Sequence, residues 1–198
     1  MSKIFEEKLS AIGITLSDVQ KKQFHQFYEL LVEWNKVMNL TGITEYEEVN
    51  EKHFVDSLSL VKAIDVKNVK KVIDTLGLEK IKTIHGRAED FAKQAEYREQ
   101  FDLCVSRAVA NLSTLSEYCL PYVKVGGLFV PYKSGEIDEE VLASKKAIHI
   151  LGGKLEDVIK FQLPGTEIGR SFVKIEKNKN TSKKYPRKAG LPAKEPLS

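Results

Sequence analysis

Only two cysteines, Cys104 and Cys119, occur in 198 residues, and neither stands in a Cys-x-x-Cys or beside a histidine. The plain reading is two reduced thiols in a cytosolic protein, with no disulfide framework. The four histidines (His25, His53, His85, His149) have no metal-ligand spacing, so no zinc site or other metal is expected. Long apolar runs are missing too; Leu128-Phe129-Val130 is typical of the longest. A bilayer span takes about 20 consecutive apolar residues, so no membrane role is expected. Met1 to Gly13 is charged and lacks an apolar h-region, so no secretory signal is read there, and the expected location is the cytoplasm.

Apolar residues reach 42%, enough for a real core. The length suits one domain, alone or with a small appendage. The net charge of +3 hides a polarity: Arg170 to Ser198 carries nine Lys/Arg and two Glu, whereas Met1 to Gly169 carries 22 basic and 26 acidic residues. A basic end on a mildly acidic body suits contact with a polyanion, or else a merely solvated tail.

The first 65 residues read as helices. Ser17-x-x-Gln20 is a capping box, and Phe24, Phe27/Tyr28, Leu31, Trp34 and Met38 then recur at helical spacing as a core-packing stripe that ends near Asn39-Leu40-Thr41-Gly42. Short helices fit Glu45 to Lys52 and Val55 to Ala63. Beyond Lys70, strands are predicted at Lys71–Asp74, Lys80–His85, Phe101–Ser106, Gly127–Tyr132, Val158–Leu163 and Ser171–Glu176. Helices are predicted at Glu89–Glu99, Ser113–Val123 and Ile137–Leu151, the last stopped by Gly152-Gly153. The alternation predicts an α/β fold: a mostly parallel sheet with helices on both faces, ending in an antiparallel hairpin around Pro164-Gly165. The Lys/Pro/Asn-rich tail from Asn178 is expected to be extended.

Six stretches, in order, carry a resemblance. They are Trp34-Asn-Lys-Val-Met-Asn-Leu-Thr41, His53-Phe-Val-Asp-Ser-Leu58, His85-Gly-Arg-Ala-Glu-Asp90, Ser106-Arg-Ala-Val-Ala110, Leu120-Pro-Tyr-Val-Lys-Val-Gly-Gly127 and Lys184-Tyr-Pro-Arg-Lys-Ala-Gly190. Together they resemble the bacterial 16S ribosomal RNA (guanine-N7)-methyltransferase G family, also called glucose-inhibited division protein B. The resemblance implies a Rossmann-like class I methyltransferase sheet with an α-helical N-terminal extension. It implies rRNA modification in which S-adenosyl-L-methionine gives its methyl group to N7 of a guanine in the 530 loop of 16S rRNA.

At one place the chain departs from that pattern. In the family the first strand runs into a Gly-rich turn, then helix, strand and helix. Here Asp74 is followed directly by Thr75-Leu-Gly-Leu-Glu-Lys80, which looks like the end of that second helix and its exit loop. The Gly-x-Gly turn that approaches the methionine part of the cofactor is absent, and so is the strand whose end contacts the ribose. The sheet is therefore expected to be shortened.

The resemblance implies cofactor contacts by Ala88, Glu89 and Arg107. Each follows an expected strand, so Glu89 and Arg107 should share the carboxyl edge where such sheets bind ligands. Without the resemblance, Glu89 reads as a first-turn carboxylate on a helix dipole, and Arg107 as half of an ion pair with Glu89 or Asp102. Lys133, Lys183, Lys184, Arg187 and Lys188, the last four around Tyr185 and Pro186, suit phosphate contacts plus a base stack, against the reading of a solvated tail. Asn39, His53, Asp56 and Ser57 belong to the family's N-terminal motifs; read alone, Asn39 is a helix C-cap and Asp56 a helix-start carboxylate. No catalytic residue is assigned. Guanine N7 has a lone pair and no proton to lose, so an in-line displacement at the sulfonium methyl needs no general base, only positioning.

The expected layout is a helical extension over residues 1–65, an incomplete methyltransferase domain over 66–178 and a basic tail over 179–198. The expected partner is 16S rRNA or the small ribosomal subunit, met by a monomer. The alternative is a non-catalytic RNA-binding remnant of the family. A small-molecule methyltransferase would have no use for the basic tail.

Overall fold

The computed structural model describes residues 2–64, 84–107 and 110–198. The Asp74–Thr75 junction, the strand expected at Lys71–Asp74 and most of that at Lys80–His85 lie outside these residues. The chain forms two compact units, Met1–Val72 with Gln162–Glu167, and Ile73–Phe161 with Ile168–Ser198.

The first unit is helical. Helix α1 (Lys3–Ser10) is capped by the Ser2 side chain, which accepts from the Phe5 N–H. Helix α2 (Asp18–Met38) opens on the expected capping box: Ser17 Oγ accepts from Gln20 N–H and Gln20 Oε1 from Ser17 N–H. It ends where Asn39 takes a left-handed turn at φ 47°. The two short helices expected next form one helical path, since no glycine or proline interrupts it. This path runs through α3 (Tyr46–Val49), a π-helical turn (Asn50–Val55), α4 (Asp56–Leu58) and a 3₁₀ turn (Ser59–Lys62). Phe5, Leu9, Ile12, Val49, Phe54 and Val55 form the core, with Phe24, Tyr28 and Leu31 of α2 packed on it. Phe24 lies between Phe5 and Phe54, with ring centroids 5.9 and 5.0 Å away.

The α2 stripe is not one core face, as the sequence suggested. Phe27, Trp34 and Met38 are more than half exposed, together with Leu30 and Val37. Apolar side chains cover more than one face of α2: Phe24, Tyr28 and Leu31 pack on the core, and Phe27, though more than half exposed, sets its ring edge-on to Phe54 at 5.4 Å between centroids.

The second unit is built on a sheet in the order β1-β2-β4-β3. Strand β1 (Phe101–Arg107) runs parallel to β2 (Val123–Ser134), with Leu103 opposite Leu128 and Arg107 opposite Tyr132. Strand β2 runs antiparallel to β4 (Gly169–Lys177), with Phe129 opposite Ile175. Strand β3 (Gly153–Gln162) borders β4 and is joined to it by a loop too short for anything but an antiparallel return. Among the described strands one pairing is parallel, β1 with β2, and β4 runs antiparallel to β2.

Helix α6 (Leu112–Cys119) covers the β1–β2 crossover. Asn111 Oδ1 accepts from Thr114 N–H at its start, and Pro121 turns its end into a 3₁₀ turn. Helix α7 (Asp138–Ile150) matches its expected span. The helix expected over Glu89–Glu99 is only α5 (Ala88–Phe91), followed by tight turns. Arg98 folds back onto the Ala92 carbonyl, and Glu99 sits at φ 55°, which ends any helix there.

The tail is not extended. Asn178 and Lys179 N–H both donate to the Gly152 carbonyl, at 2.9 and 3.0 Å. Gly152 has φ +84°, and a Cβ there would lie 2.2 Å from Lys179 O, so this docking needs glycine. Thr181, Tyr185 and Pro192 are buried, and Tyr185 joins the core cluster of Leu112, Leu115, Phe129, Val173 and Ile175. A final turn, α8 (Leu191–Lys194), is tied to α6 by Thr114 Oγ1 donating to Pro192 O.

Candidate functional site

The expected carboxyl-edge site is only partly assembled. Arg107 ends β1 beside Tyr132, and Lys133 follows Tyr132 on β2. Lys133 is committed internally. Its Nζ donates to Ala110 O at 3.0 Å and pairs with Glu140 at 2.7 Å, and its side chain is only 13% exposed. Glu140 in turn accepts from the Leu112 N–H at the start of α6. Lys133 therefore fixes the turn after β1. The sequence offered it as an RNA contact, but its charge is balanced and covered.

Ala88 and Glu89 are elsewhere. The Ala88 carbonyl accepts from Tyr122 Oη at 2.6 Å, and Tyr122 lies one residue before β2 opens. Arg107 lies at the opposite end of the seven-residue β1, a span of about 20 Å at about 3.3 Å per residue. The expectation that Glu89 and Arg107 share an edge is not met. Glu89 is buried and its Oε1 accepts from the Gly190 N–H at 3.0 Å. Beside Ala88 is a cavity of about 540 Å³ lined by Ile84, Gly86, Phe91, Tyr97, Phe101 and Tyr122, among others. Burial, with the nearby Cys119, Cys104 and Glu89, pushes the Tyr122 hydroxyl up to about 12.

The basic segment is held by three side chains that the sequence reading missed. Glu117, on α6, is fully buried and accepts from Arg187 at both carboxylate oxygens: from the backbone N–H at 2.7 Å, Nε at 3.0 and 3.1 Å, and Nη2 at 2.7 Å. This hydrogen bonding and charge raise the already high Arg187 pKa. Arg187 was expected to contact RNA; its guanidinium is instead taken by Glu117 and by the Glu195 carbonyl. Arg98 donates to the carbonyls of Thr181, Ser182 and Tyr185. Glu99 accepts from Thr181 N–H and Asn180 Nδ2, each at 2.6 Å, and pairs with Lys177 at 3.2 Å. Burial alone would raise the Glu99 carboxyl, but the bonds from Asn180, Thr181 and Lys177 bring it below the usual carboxylate range. Lys177 is wholly buried, and burial depresses its pKa against the pull of Glu99. It also donates to Leu120 O, Val123 O and Thr181 Oγ1. One signal could have exposed Glu117: it is the only charged residue in Leu112–Cys119, a helix otherwise without charge.

Lys183, Lys184 and Lys188 remain exposed. Tyr185 is 8% exposed, so the base stack read from the sequence is not available to it. In the first unit, Thr41 Oγ1 meets His53 Nε2 at 3.1 Å, and Asn35 Oδ1 accepts from Thr41 N–H. Asn39 is the C-cap of α2, while Asp56 is buried at the start of α4, next to Ser57.

The sequence model of rRNA small subunit methyltransferase G matches residues 20–75 and 66–168. Ribosomal RNA small subunit methyltransferase G of Lachnoclostridium phytofermentans is 42% identical over 232 residues, covering 98% of this chain and 96% of that protein. The protein of the same name from Brevibacillus brevis is 45% identical over 232 residues, covering 98% of each. The chain belongs to the rRNA small subunit methyltransferase G family. An alignment of 232 positions onto a chain of 198 residues leaves at least 34 positions of the relative without a counterpart. The two matched stretches of the family model meet at residues 66–75, which contain the Asp74–Thr75 junction. Among solved structures, the M1.HpyAVI–SAM complex aligns with a TM-score of 0.36 and 15% identity over 49% of this chain and 53% of that one, too slight a likeness to carry an argument.

The family's cofactor, S-adenosyl-L-methionine, can be tested against the described residues. An apolar, aromatic-lined cavity beside the Ala88 backbone suits an adenine ring. Nothing among the described residues provides the glycine turn that a methionine moiety needs, and Arg107 is far from that cavity. The fit is to one end of the cofactor only.

Proposed function

We propose that this chain works on small-subunit ribosomal RNA and that its reaction is that of its family, methyl transfer from S-adenosyl-L-methionine to N7 of a guanine in the 530 loop of 16S rRNA. Family membership carries the reading: identity of 42–45% extends over 98% of the chain, through the N-terminal and tail motifs as well as the sheet. The cofactor, when bound, supplies an activated methyl group. In this reading Ala88 and Glu89 stand at its adenine end; the cavity that Ala88 lines supports the first, while the Glu89 carboxylate is held by the Gly190 N–H. Arg107 stands at the carboxyl edge, supported by its place at the end of β1. Lys183, Lys184 and Lys188 meet RNA phosphates, supported by their exposure. Two free thiols agree with a cytoplasmic setting.

The positions lost at residues 66–75 favour a second reading, a remnant that binds rRNA without methylating it. Calorimetric titration with S-adenosyl-L-methionine, paired with transfer of a labelled methyl group to 16S rRNA, separates the two. Micromolar cofactor binding and label at guanine N7 are expected for the enzyme. No heat up to millimolar cofactor, with rRNA binding intact, would establish the remnant instead.

A further inference from the structure

We infer that residues 180–190 form a preorganised phosphate-binding strap in which Glu117, Glu99 and Arg98 are positioning residues and Lys183, Lys184 and Lys188 are the contacts. The inference rests on the reading that rRNA is the partner, and it adds how the RNA is held. A basic tail normally meets a polyanion as a mobile arm, and its ordering then weakens binding. This segment is already ordered. Glu99 fixes Asn180 and Thr181, and Arg98 fixes the carbonyls of Thr181, Ser182 and Tyr185. Glu117 fixes Arg187 through both backbone and side chain, and Glu89 fixes the Gly190 N–H. Tyr185 and Pro186 point into the unit and anchor the middle.

The buried members of this segment therefore hold it, and its exposed members are cationic. Lys184 lies 5.1 Å from the centre of the Tyr185 ring, which further defines its place. Lys183, Lys184 and Lys188 make no ion pair among the described residues, whereas Arg187, between them in sequence, is neutralised. Three uncompensated ammonium groups on a fixed backbone match the spaced charges of an RNA strand better than a protein or membrane partner, for which no apolar surface accompanies them on the strap.

The two models of the tail differ in sign when Glu117→Gln is made. If the tail acts only through its charge, releasing Arg187 adds a cation, so affinity rises and the salt dependence steepens. If it acts as a strap, loosening it weakens binding about threefold to tenfold, from the ordering that must then accompany binding, with the salt slope nearly unchanged. The full chain is titrated with a 16S rRNA fragment spanning the 530 loop, by fluorescence anisotropy, across a series of KCl concentrations. Circular dichroism melts report whether each variant is folded. Glu99→Gln, at the other end of the strap, should weaken binding in the same way and serves if Glu117→Gln does not fold. Lys183→Ala/Lys184→Ala/Lys188→Ala should fold as the parent does and reduce the slope of log affinity against log salt by about 2. Equal or tighter binding by the Glu variants would overturn the strap, and an unchanged slope in the lysine variant would overturn the contacts. A parent chain that does not bind this RNA even at low salt would overturn the underlying rRNA reading, an outcome distinct from either.

Discussion

Glu117 and Arg187 form the ion pair on which the tail turns. Glu117 is 1% exposed and Arg187 20% exposed, so removing the cation strands a buried carboxylate. Such a loss costs about 3 kcal/mol or more. Arg187→Ala should accordingly lower the urea midpoint substantially, whereas exposed Lys184→Ala should change stability by no more than about 0.5 kcal/mol. Equal midpoints for the two would remove the ion pair from the account. Tyr122 offers a second check at the same scale. Its hydroxyl titrates near 12 when folded and near 10 when unfolded. The neutral form is favoured by folding, so this contribution is complete below about pH 10 and falls away as pH rises toward 12. Absorbance at 295 nm should show a late tyrosine that Tyr122→Phe abolishes. Glu99 has the opposite sense: its folded pKa is depressed, so its stabilisation is present above the unfolded value of about 4.3 and is lost as pH falls through the lower folded value.

The element most altered by tertiary context is the tail. Its composition reads as a solvated arm, and its charge does not say that a third of the way along lies a tyrosine bound for the core. Deleting residues 180–198 should therefore do more than weaken RNA binding. Thr181, Tyr185 and Pro192 leave buried positions, and Glu99 and Glu117 lose their partners. A lower melting temperature of the truncated chain is the expected result; a melting curve like the parent's would mean that the tail is not part of the unit. Gly152→Ala tests the same docking without deletion. The added Cβ meets Lys179 O, and the residue must keep φ +84°, together costing about 2 kcal/mol or more by chemical denaturation. Elements whose signals are local came out as read: the Ser17 capping box, the Asn39 turn, β1 and α7; β2 is longer than its expected Gly127–Tyr132, opening already at Val123. The stretch after α5 did not, because Arg98 and Glu99 serve the tail and not the helix that their neighbours' propensities favour.

At the scale of the molecule there are two cores, one around Phe5, Phe24 and Phe54 and one around Leu112, Phe129 and Ile175. They share no residue, so calorimetry should resolve two transitions. Phe54→Ala should lower one of them by about 3 kcal/mol or more and leave the other in place. A single transition shifted as a whole would show the cores to be coupled. Leu30, Trp34 and Val37 of α2 belong to the first unit and are more than half exposed.

The sequence by itself determined the family, the α/β class and the chemistry of the partner. Ordered motifs, period-2 strands and clustered charge are local or additive properties of the chain. It also determined what is missing, because an absent glycine turn can be read directly at Asp74–Thr75. Which side chains of a motif face outward was decided only by the tertiary structure. Arg187 and Lys188 are adjacent and alike in charge, yet one is neutralised by a carboxylate 70 residues away and the other stands in solvent. Glu89 and Arg107 both follow expected strands, yet they are placed at opposite ends of β1. Burial and pairing between distant segments set these outcomes, and neither quantity is carried by a residue's immediate neighbours.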